Sequence, residues 1–462
     1  MSHAEFWNSA GFATMPVSVP ARQVRLGNKK VHLMVKKAEW KNGVGRYLKA
    51  MKAILERAFR AAINAAQPAQ VLLEHLPAVP KGRTVVVGAG KAASSMALAF
   101  EEAWQGECGG VVVTRYGHST LELPKRIRVL EASHPLPNEA GQHATLEVLR
   151  ALKNLGSDDL VICLISGGGS ALMTAPNGIS LAEKIGLTDE LLRSGADITE
   201  MNIVRKHLSR VKGGQLAVAA FPASVRSLIV SDVVGDDLSS IASGLTVPDP
   251  SFFADALGIL NRYQILAPEA RAHLERGVRG EVLETPKPGD TRFEKVENRL
   301  IVTNKNSLKA AKQELIRAGF QARILSDAIT GEARNAATLH IQAAIELSSG
   351  QALLSGGETT VTIPSGSLGR GGRNLEFLLA FALYNPGCYA VAGDTDGIDG
   401  SSFAAGAFVT PDTLERAKEL GLNATAFLKR HDAHGFFERL GDLLVTNPTR
   451  TNVNDFRLIL KP

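Results

Sequence analysis

The stretch TVVVGAGKAA at residues 84–93 decides the fold class of this chain. A run of β-branched residues leads into a glycine turn, and the small residues after the turn begin a helix. Similar apolar strands are predicted at residues 111–114, 127–130, 160–165 and 227–230, with helices between them that include one over residues 199–220. Such uninterrupted apolar strands indicate a mainly parallel sheet that is covered by helices on both faces.

A Pro/Gly-rich segment, TPKPGD at residues 285–290, divides the chain. Beyond it we predict helices at 308–318, 331–347 and 374–383, and strands at 300–303, 352–354, 359–363, 389–392 and 454–460. Residues 1–45 show no sustained helical or strand period, and Met51 opens the first helix. We therefore expect a poorly patterned, basic extension over 1–45, a Rossmann-like α/β domain over 46–290 and a second α/β domain over 291–462. The active site would lie in the cleft between these two domains.

Composition excludes several classes of function. The net charge of +6 comes from the first 50 residues, which hold nine basic and two acidic residues, so the remainder is close to neutral and indicates no nucleic-acid binding. No apolar run is long enough for a bilayer span, which argues against a membrane partner. The three cysteines, Cys108, Cys163 and Cys388, form no zinc or disulfide pattern and favour a reducing, cytoplasmic location.

The glycine turn GAGKAA at residues 88–93 has two interpretations. Gly88 and Gly90 fit the G-x-G-x-x-A form of the dinucleotide fingerprint, which would make the protein a nicotinamide-dependent reductase. However, the second strand ends in Arg115 and not in the acid that usually holds a ribose. Lys91 favours an anion site, because a cation here adds to the positive end of the helix that follows.

A second glycine turn, SGGGSA at residues 166–171, follows a buried strand directly. Three glycines allow consecutive N–H groups to converge on an anion, and the spacing is not that of a Walker loop. We therefore predict that this turn binds phosphate through the following residues: Ser166, Gly167, Gly168, Gly169 and Ser170.

Two clusters of aspartates follow predicted strands. In SDVVGDD, one of Asp232, Asp236 and Asp237 is expected to be functional, because ligands of parallel sheets bind at the carboxyl ends of the strands. In DTDGIDG, Asp394 and Asp396 are hard oxygen ligands that suit magnesium shared with a nucleotide.

Glycines, arginines and an acid also cluster in SGGE at residues 355–358 and in GRGGRNLE at residues 369–376. Arginines neutralise and orient phosphate oxygens. Together with the aspartates, this predicts phosphoryl transfer, in which catalysis is mostly positioning and charge neutralisation. The predicted nucleotide or phosphate contacts of this segment are Gly356, Gly357, Glu358 and Arg370, with Arg373 preceding a helix and pointing into the cleft.

Eight motifs, in this order, resemble those of the class II glycerate 2-kinases: GAGKAA, SHPLPN, LISGGGSALM, SDVVGDDLSSIASG, LLSGGETTV, GRGGRNLE, DTDGIDG and TNVNDFR. The resemblance covers residues 51–462 and implies that the C-terminal part is a MOFRL-type α/β domain. It also implies ATP-dependent phosphorylation of D-glycerate to 2-phosphoglycerate with Mg²⁺. Carried over by motif, Lys91 and Arg373 would be the catalytic cations and Asp236 the essential acid, with Glu358 and Asp396 contacting metal or nucleotide.

Two other functions stay open at this stage. Some relatives in the family are labelled hydroxypyruvate reductases, which corresponds to the NAD(P)H-dependent alternative. A nucleotide-binding regulator with a degenerate site is the non-enzymatic alternative. ATP and D-glycerate are the expected small-molecule partners, and a homodimer is compatible with the sequence.

Overall fold

The computed structural model describes residues 29–363 and 369–462, with side chains described from residue 46 onward. The chain divides into a unit over residues 1–50 and a second, much larger unit over residues 51–462. The first helix, α1 (Lys29–Asn64), begins earlier than the sequence predicted. Residues 29–42 contain neither proline nor glycine and are rich in good helix formers, so they favour a helix without showing an amphipathic period. The rest of the predicted extension, residues 1–28, lies outside the described residues.

The first sheet has six strands, all parallel, in the order β3-β2-β1-β4-β5-β6. Its strands are β1 (Thr84–Ala89), β2 (Gly109–Arg115), β3 (Ile127–Ala132), β4 (Leu160–Ile165), β5 (Ser224–Val230) and β6 (Val296–Val302). This is the strand order of a Rossmann-type sheet, and it reverses between β1 and β4. Ligands of such sheets bind in the crevice at the carboxyl ends of the two strands that flank the reversal.

Helices cover both faces of this sheet. Alternate residues of one strand, such as Val86 and Val87, belong to separate apolar cores on the two faces. The helices of this half are α2 (Pro68–Val71), α3 (Ala93–Ala103), α4 (Glu139–Ala151), α5 (Gly169–Leu172), α6 (Leu181–Ser194), α7 (Ile198–His207), α8 (Gln215–Ala220), α9 (Phe253–Arg262) and α10 (Pro268–Val278). Helices α6, α7, α9 and α10 share a core of their own. Three short 3₁₀ helices lie at Leu72–His75, Ile241–Ser243 and Thr291–Phe293.

The second sheet is mixed, in the order β11-β10-β9-β12-β8-β7. Its strands are β7 (Gln321–Ile329), β8 (Gln351–Gly357), β9 (Tyr389–Asp394), β10 (Gly406–Val409), β11 (Leu443–Leu444) and β12 (Asp455–Lys461). Strand β12 lies at the centre and runs antiparallel to both neighbours, β8 and β9. The helices of this half are α11 (Asn304–Arg317), α12 (Ala333–Ile345), α13 (Arg373–Leu383), α14 (Thr413–Glu419), α15 (Ala424–Lys429) and α16 (Ala433–Leu440).

Three predictions about elements are corrected. The single helix predicted over residues 199–220 is two helices: α7 ends at His207, and Gly213 and Gly214, with left-handed φ of 57° and 83°, come directly before α8. The predicted strand at 359–363 is in neither sheet, since Thr359 N–H bonds to the Asp455 carboxylate and Thr360 N–H to Gly331. The predicted boundary at 290/291 precedes β6, which pairs with β5 and completes the first sheet.

The fold class is as predicted: two α/β halves, the first Rossmann-like with a parallel sheet. In the described part of the chain, no helix combines the length and apolar character that crossing a membrane requires.

Candidate active site

Lys91 lies where the strand order of the first sheet reverses, between the end of β1 and the start of α3. Its Nζ atom is 2.6 Å from Oδ2 of Asp396, which follows β9 of the second sheet. Burial alone would lower the pKa of Lys91, but the carboxylates of Asp396 and Asp394 outweigh this effect and raise the pKa above its ordinary value. Lys91 is therefore a permanent cation held between the two sheets.

Arg373, the first residue of α13, contacts three carboxylates. Its Nε is 2.6 Å from Asp455, its Nη1 is 2.9 Å from Glu358, and its Nη2 is 2.9 Å from Asp394. Burial opposes the charge, but Asp455 and Asp394 raise the pKa of Arg373 well above its ordinary value. Because each of its three nitrogen atoms contacts a different carboxylate, the guanidinium is fixed in one orientation.

Asp394 and Asp396 connect the two cations. Asp394 Oδ1 accepts the N–H of Asp396 at 3.0 Å, while its Oδ2 accepts from Arg373. Asp396 Oδ1 accepts the N–H of Ile398 at 2.9 Å, while its Oδ2 accepts from Lys91. Burial would raise the pKa of Asp396, but Lys91 holds it below its ordinary value. Each of the four carboxylate oxygens accepts one hydrogen bond, and the role of these two residues as metal ligands stays a prediction.

Asp399, the third acid of this loop, supports the helix that carries Arg373. Its carboxylate accepts the N–H groups of Asn374 at 3.1 Å and Leu375 at 2.9 Å, in the first turn of α13. A carboxylate in this position satisfies N–H groups that have no partner within the helix. No group of three or more acids, histidines or cysteines in the described ranges is arranged to hold a metal ion.

A cavity of about 510 Å³ opens between the two sheets. Residues of the first half line one side, among them Gly168, Ser170 and Asp232, and Glu358 and Arg373 of the second half line the other. The predicted cleft site is thus a concave space to which both halves contribute polar groups.

Asp232 is the aspartate of SDVVGDD that lines this cavity. Burial raises its pKa to about 6, and the charge of Lys91 opposes the rise. A Cβ atom on Gly167 would lie 2.0 Å from Asp232 Oδ2, so glycine is required there for the loop and the carboxylate to approach each other. The predicted acid, Asp236, lies in a turn with φ of 57° and does not line the cavity formed by the described residues.

The glycine turn after β4 supplies both structure and cavity lining. Ser166 Oγ accepts the N–H of Ala92 at 3.0 Å, which fixes the turn that carries Lys91. Gly168 has a left-handed φ of 84° and lies beside His134. Gly168 and Ser170 face the cavity, whereas Gly169 packs against Ala242.

The other glycines predicted to contact phosphate lie in tightly packed surroundings. A Cβ on Gly88 would lie 2.1 Å from the carbonyl oxygen of Leu164, and one on Gly90 would lie 2.0 Å from Ser166 Oγ. Gly356 and Gly357 are similarly enclosed by Asn304 and by the Ile329 backbone. These glycines allow close approach within and beside the sheets.

Arg370 also differs from its predicted role. Its side chain is 54% exposed and pairs with Glu438 at 3.2 Å, and it is not among the residues that line the cavity. It is a surface cation of the loop before α13.

Comparison with known proteins shows the family to which the chain belongs. Residues 54–275 match a domain of unknown function, DUF4147, and residues 351–455 match the MOFRL family. A glycerate 2-kinase from Pyrococcus horikoshii is 42% identical over 86% of this chain and 92% of its own length. The chain belongs to the MOFRL family of glycerate 2-kinases. The crystal structure of a glycerate kinase from Thermotoga maritima, 37% identical, matches 90% of this chain and all of its own with a TM-score of 0.81.

Relatives of this glycerate 2-kinase family do not all carry the same name. A protein from Agrobacterium vitis, 48% identical over 88% of this chain and 94% of its own length, has a provisional name as a hydroxypyruvate reductase. Both names belong to chains that match the two halves together.

Within this family member, sequence reasoning missed Asp455, the first residue of β12. It is fully buried, and it accepts from Arg373 at 2.6 Å, Asn374 at 2.7 Å and Arg457 at 2.5 Å. Burial would raise its pKa, but Arg373 and Arg457 hold the pKa below its ordinary value. The available signal was TNVNDFR, in which an acid and an arginine interrupt the start of an apolar strand.

Proposed function

We propose that this protein is a glycerate 2-kinase that transfers the terminal phosphoryl group of ATP to the 2-hydroxyl of D-glycerate. One observation carries the proposal. Two cations from different halves, Lys91 and Arg373, are linked through Asp396 and Asp394, and Arg373 lines a cavity to which both halves contribute. Fixed cations stabilise the charge that spreads over the phosphoryl oxygens in the transition state.

Lys91 and Arg373 would receive the phosphate oxygens of ATP. Both are neutralised by carboxylates in the protein alone, so phosphate would compete with Asp396 and Glu358 for them. Of the acids around Arg373, Glu358 is the most exposed, at 43%, and is the one most easily displaced. The cations would then be already oriented when phosphate arrives, which is the main requirement of phosphoryl transfer.

Asp232 would orient the 2-hydroxyl of glycerate and accept its proton. A pKa of about 6 leaves the carboxylate mostly ionised at neutral pH and still basic enough to take a proton. Its position in the cavity, where Asp236 is absent from the lining, favours Asp232 for this role.

For Mg²⁺, the residue that fits is Glu358. It lines the cavity, and one of its carboxylate oxygens accepts from Arg373 while the other has no partner among the described residues. Magnesium in nucleotide enzymes is commonly held by one or two carboxylates together with the phosphates, where it neutralises their charge. A homodimer and a cytoplasmic location are also part of this proposal.

Phosphorus NMR of the purified protein with ATP, Mg²⁺ and D-glycerate tests the proposal. A 2-phosphoglycerate resonance should grow as ATP falls, and a 3-phosphoglycerate resonance would contradict the assigned regiochemistry. Lys91→Met should lower kcat about 100- to 1,000-fold while the circular dichroism spectrum stays native. Full activity in folded Lys91→Met would overturn the role of this lysine.

The reductase alternative makes a different prediction. It requires loss of NADPH absorbance with hydroxypyruvate and without ATP. The second half of the chain, which adds Arg373 to the lining of the cavity, favours the kinase over this alternative.

A further inference from the structure

A second, smaller cavity of about 270 Å³ lies beside the first. The two cavities share Gly168, Ser170, His134 and Arg205. The smaller one is also lined by Lys184 of α6 and by Lys212, which lies between α7 and α8. We call Lys184, Arg205 and Lys212 the cationic pocket.

Among the described residues, the cations of this pocket have no acidic partner. Lys184 and Lys212 are only 6% and 1% exposed, and Arg205 is half-buried. Lys212 Nζ donates to the carbonyl oxygen of Met173 at 2.8 Å. In the part of the chain that the structure describes, the charged ends of Lys184 and Arg205 have neither an ion-pair nor a hydrogen-bond partner. Buried charges in proteins are normally paired, so three together indicate a missing anion.

The electrostatics of the pocket agree with this interpretation. Burial and the charge of Arg205 lower the pKa of Lys184 to about 8. Burial, Lys184 and Arg205 together lower the pKa of Lys212 well below its ordinary value. A bound anion would offset both effects, because it restores an opposite charge next to each ammonium group.

We propose that the cationic pocket binds the carboxylate of the 2-hydroxy acid substrate. This inference rests on the proposed function and assigns the part of the cleft that selects the acceptor. The pocket joins the main cavity through Ser170 and Gly168, and Gly167, the residue before Gly168, lies against Asp232. A carboxylate here would leave the neighbouring carbon, which carries the 2-hydroxyl, in the part of the cavity that Asp232 lines.

The volume of the pocket favours a small anion over a nucleotide. At about 270 Å³ it is roughly half the size of the main cavity. His134, which also lines it, has its pKa lowered to about 4 by burial and by Lys91, so it is neutral near pH 7 and adds no acid-base partner for the cations. Because three cations line this small pocket, it would select a carboxylate over an uncharged group.

Lys184→Met tests the proposal, because methionine keeps much of the shape and removes the charge. We expect KM for D-glycerate to rise about 10- to 100-fold, with KM for ATP changed less than about twofold. We also expect the ligand-free melting temperature to rise, since an uncompensated buried charge is removed. Glycerol, which lacks the carboxylate, should be an equally poor substrate for both proteins.

Lys206→Met is the matched control. Lys206 is a buried lysine next to Arg205 in the chain, but it has partners, with Ser239 Oγ at 2.6 Å and Asp249 at 3.4 Å. Its replacement should lower the melting temperature and leave the ratio of the two KM values unchanged. Arg205→Lys, which keeps the charge, should retain more glycerate affinity than Arg205→Met.

Thermal shifts with D-glycerate, ATP or inorganic phosphate alone separate the outcomes without turnover. The proposal requires that Lys184→Met lose the shift given by D-glycerate and keep the shift given by ATP. Loss of the ATP or phosphate shift with the glycerate shift intact would overturn it in favour of a phosphate subsite. If Lys184→Met keeps both shifts and the wild-type enzyme is active, only the assignment of the cationic pocket is wrong. If D-glycerate shifts the wild-type protein but not Lys184→Met, and no phosphoglycerate forms, the proposed kinase activity is wrong and the assignment of the pocket stands. If the wild-type protein shows neither a D-glycerate shift nor a product, both proposals are wrong.

Discussion

Lys91 and Asp396 form an ion pair at 2.6 Å although 305 residues separate them in the chain. The lysine follows the first strand of one sheet and the aspartate follows a strand of the other. Because both side chains are largely buried, the pair holds the two halves in register at the cleft. The ammonium group has three N–H donors and this pair uses one of them, so under the proposed function phosphate would bind Lys91 directly beside the contact between the halves.

Arg373→Met should abolish most activity, whereas Arg370→Met should not. Arg373 contacts three carboxylates at the cavity, and its loss should lower kcat at least about 100-fold. Arg373→Lys should not restore it, because an ammonium group cannot satisfy three separate acids in a fixed plane. Arg370 has one exposed partner, Glu438, and is the matched control three residues away. Steady-state kinetics of the three variants provide the measurement, and equal losses in Arg370→Met and Arg373→Met would contradict the assignment.

Asp232→Asn should lower kcat about 100- to 10,000-fold, as expected for loss of a proton acceptor. The wild-type pH–rate profile should fall on the acid side near pH 6, where Asp232 becomes protonated. Asp236→Asn should change kcat little, because asparagine tolerates the left-handed backbone of that turn. If the residual activity of Asp232→Asn still falls near pH 6, that part of the pH–rate profile belongs to a group other than Asp232.

Asp455→Asn should destabilise the fold by about 3–5 kcal/mol, because it leaves the buried Arg457 without its counter-charge. Urea denaturation measures the free energy of unfolding directly. Glu438→Gln, which removes an exposed partner of Arg370, should change it by less than about 0.5 kcal/mol. Adding Arg457→Met to Asp455→Asn should recover part of the loss, and an unaltered stability in the single variant would disprove this account of the pair.

The contribution of His340 to stability should fall as the pH drops from 6.5 towards 4. Burial lowers the pKa of His340 to about 4, with Arg457 contributing, and its ring nitrogens bond Ala336 and Ser355, each at 2.6 Å. Between pH 6.5 and 4 the unfolded state therefore binds a proton that the native state does not, so the contribution of this residue is fully present above pH 6.5 and is lost on acidification. The loss from this residue is of the order of 3 kcal/mol. Denaturation curves of His340→Leu should show a weaker dependence on pH over this range, while those of the exposed control His143→Gln should match the wild-type protein.

The parallel sheet, the two α/β halves and the positions of Lys91 and Arg373 could be predicted because each depends on local pattern. Strand β1, its glycine turn and the following helix are contiguous in sequence, and so are Arg373 and α13. The choice between Asp232 and Asp236 could not be predicted, since both follow β5 and the tertiary fold decides which faces the cavity. The role of Asp455 also depends on a partner 82 residues away. The cationic pocket was missed because its residues come from α6, α7 and a loop, and they carry no shared spacing.

Glycines were the least reliable guide to the site. Gly88 and Gly356 occur in motifs that are typical of phosphate loops, but neighbouring backbone or side chains leave no room for a Cβ atom at either position. A glycine-rich motif is compatible with close packing as well as with ligand binding, and the two are distinguished only by what surrounds it.

The central place of β12 in the second sheet has a consequence for how the protein is made. A chain emerging from the ribosome presents β7 to β11 before residues 455–461 exist, and these strands cannot join into one sheet until the strand between β8 and β9 has been synthesised. Asp455, which orients Arg373, arrives with that same strand. A polypeptide that stops short of it therefore lacks both the middle of its second sheet and the carboxylate that anchors Arg373, so interrupted translation should yield no partly active enzyme.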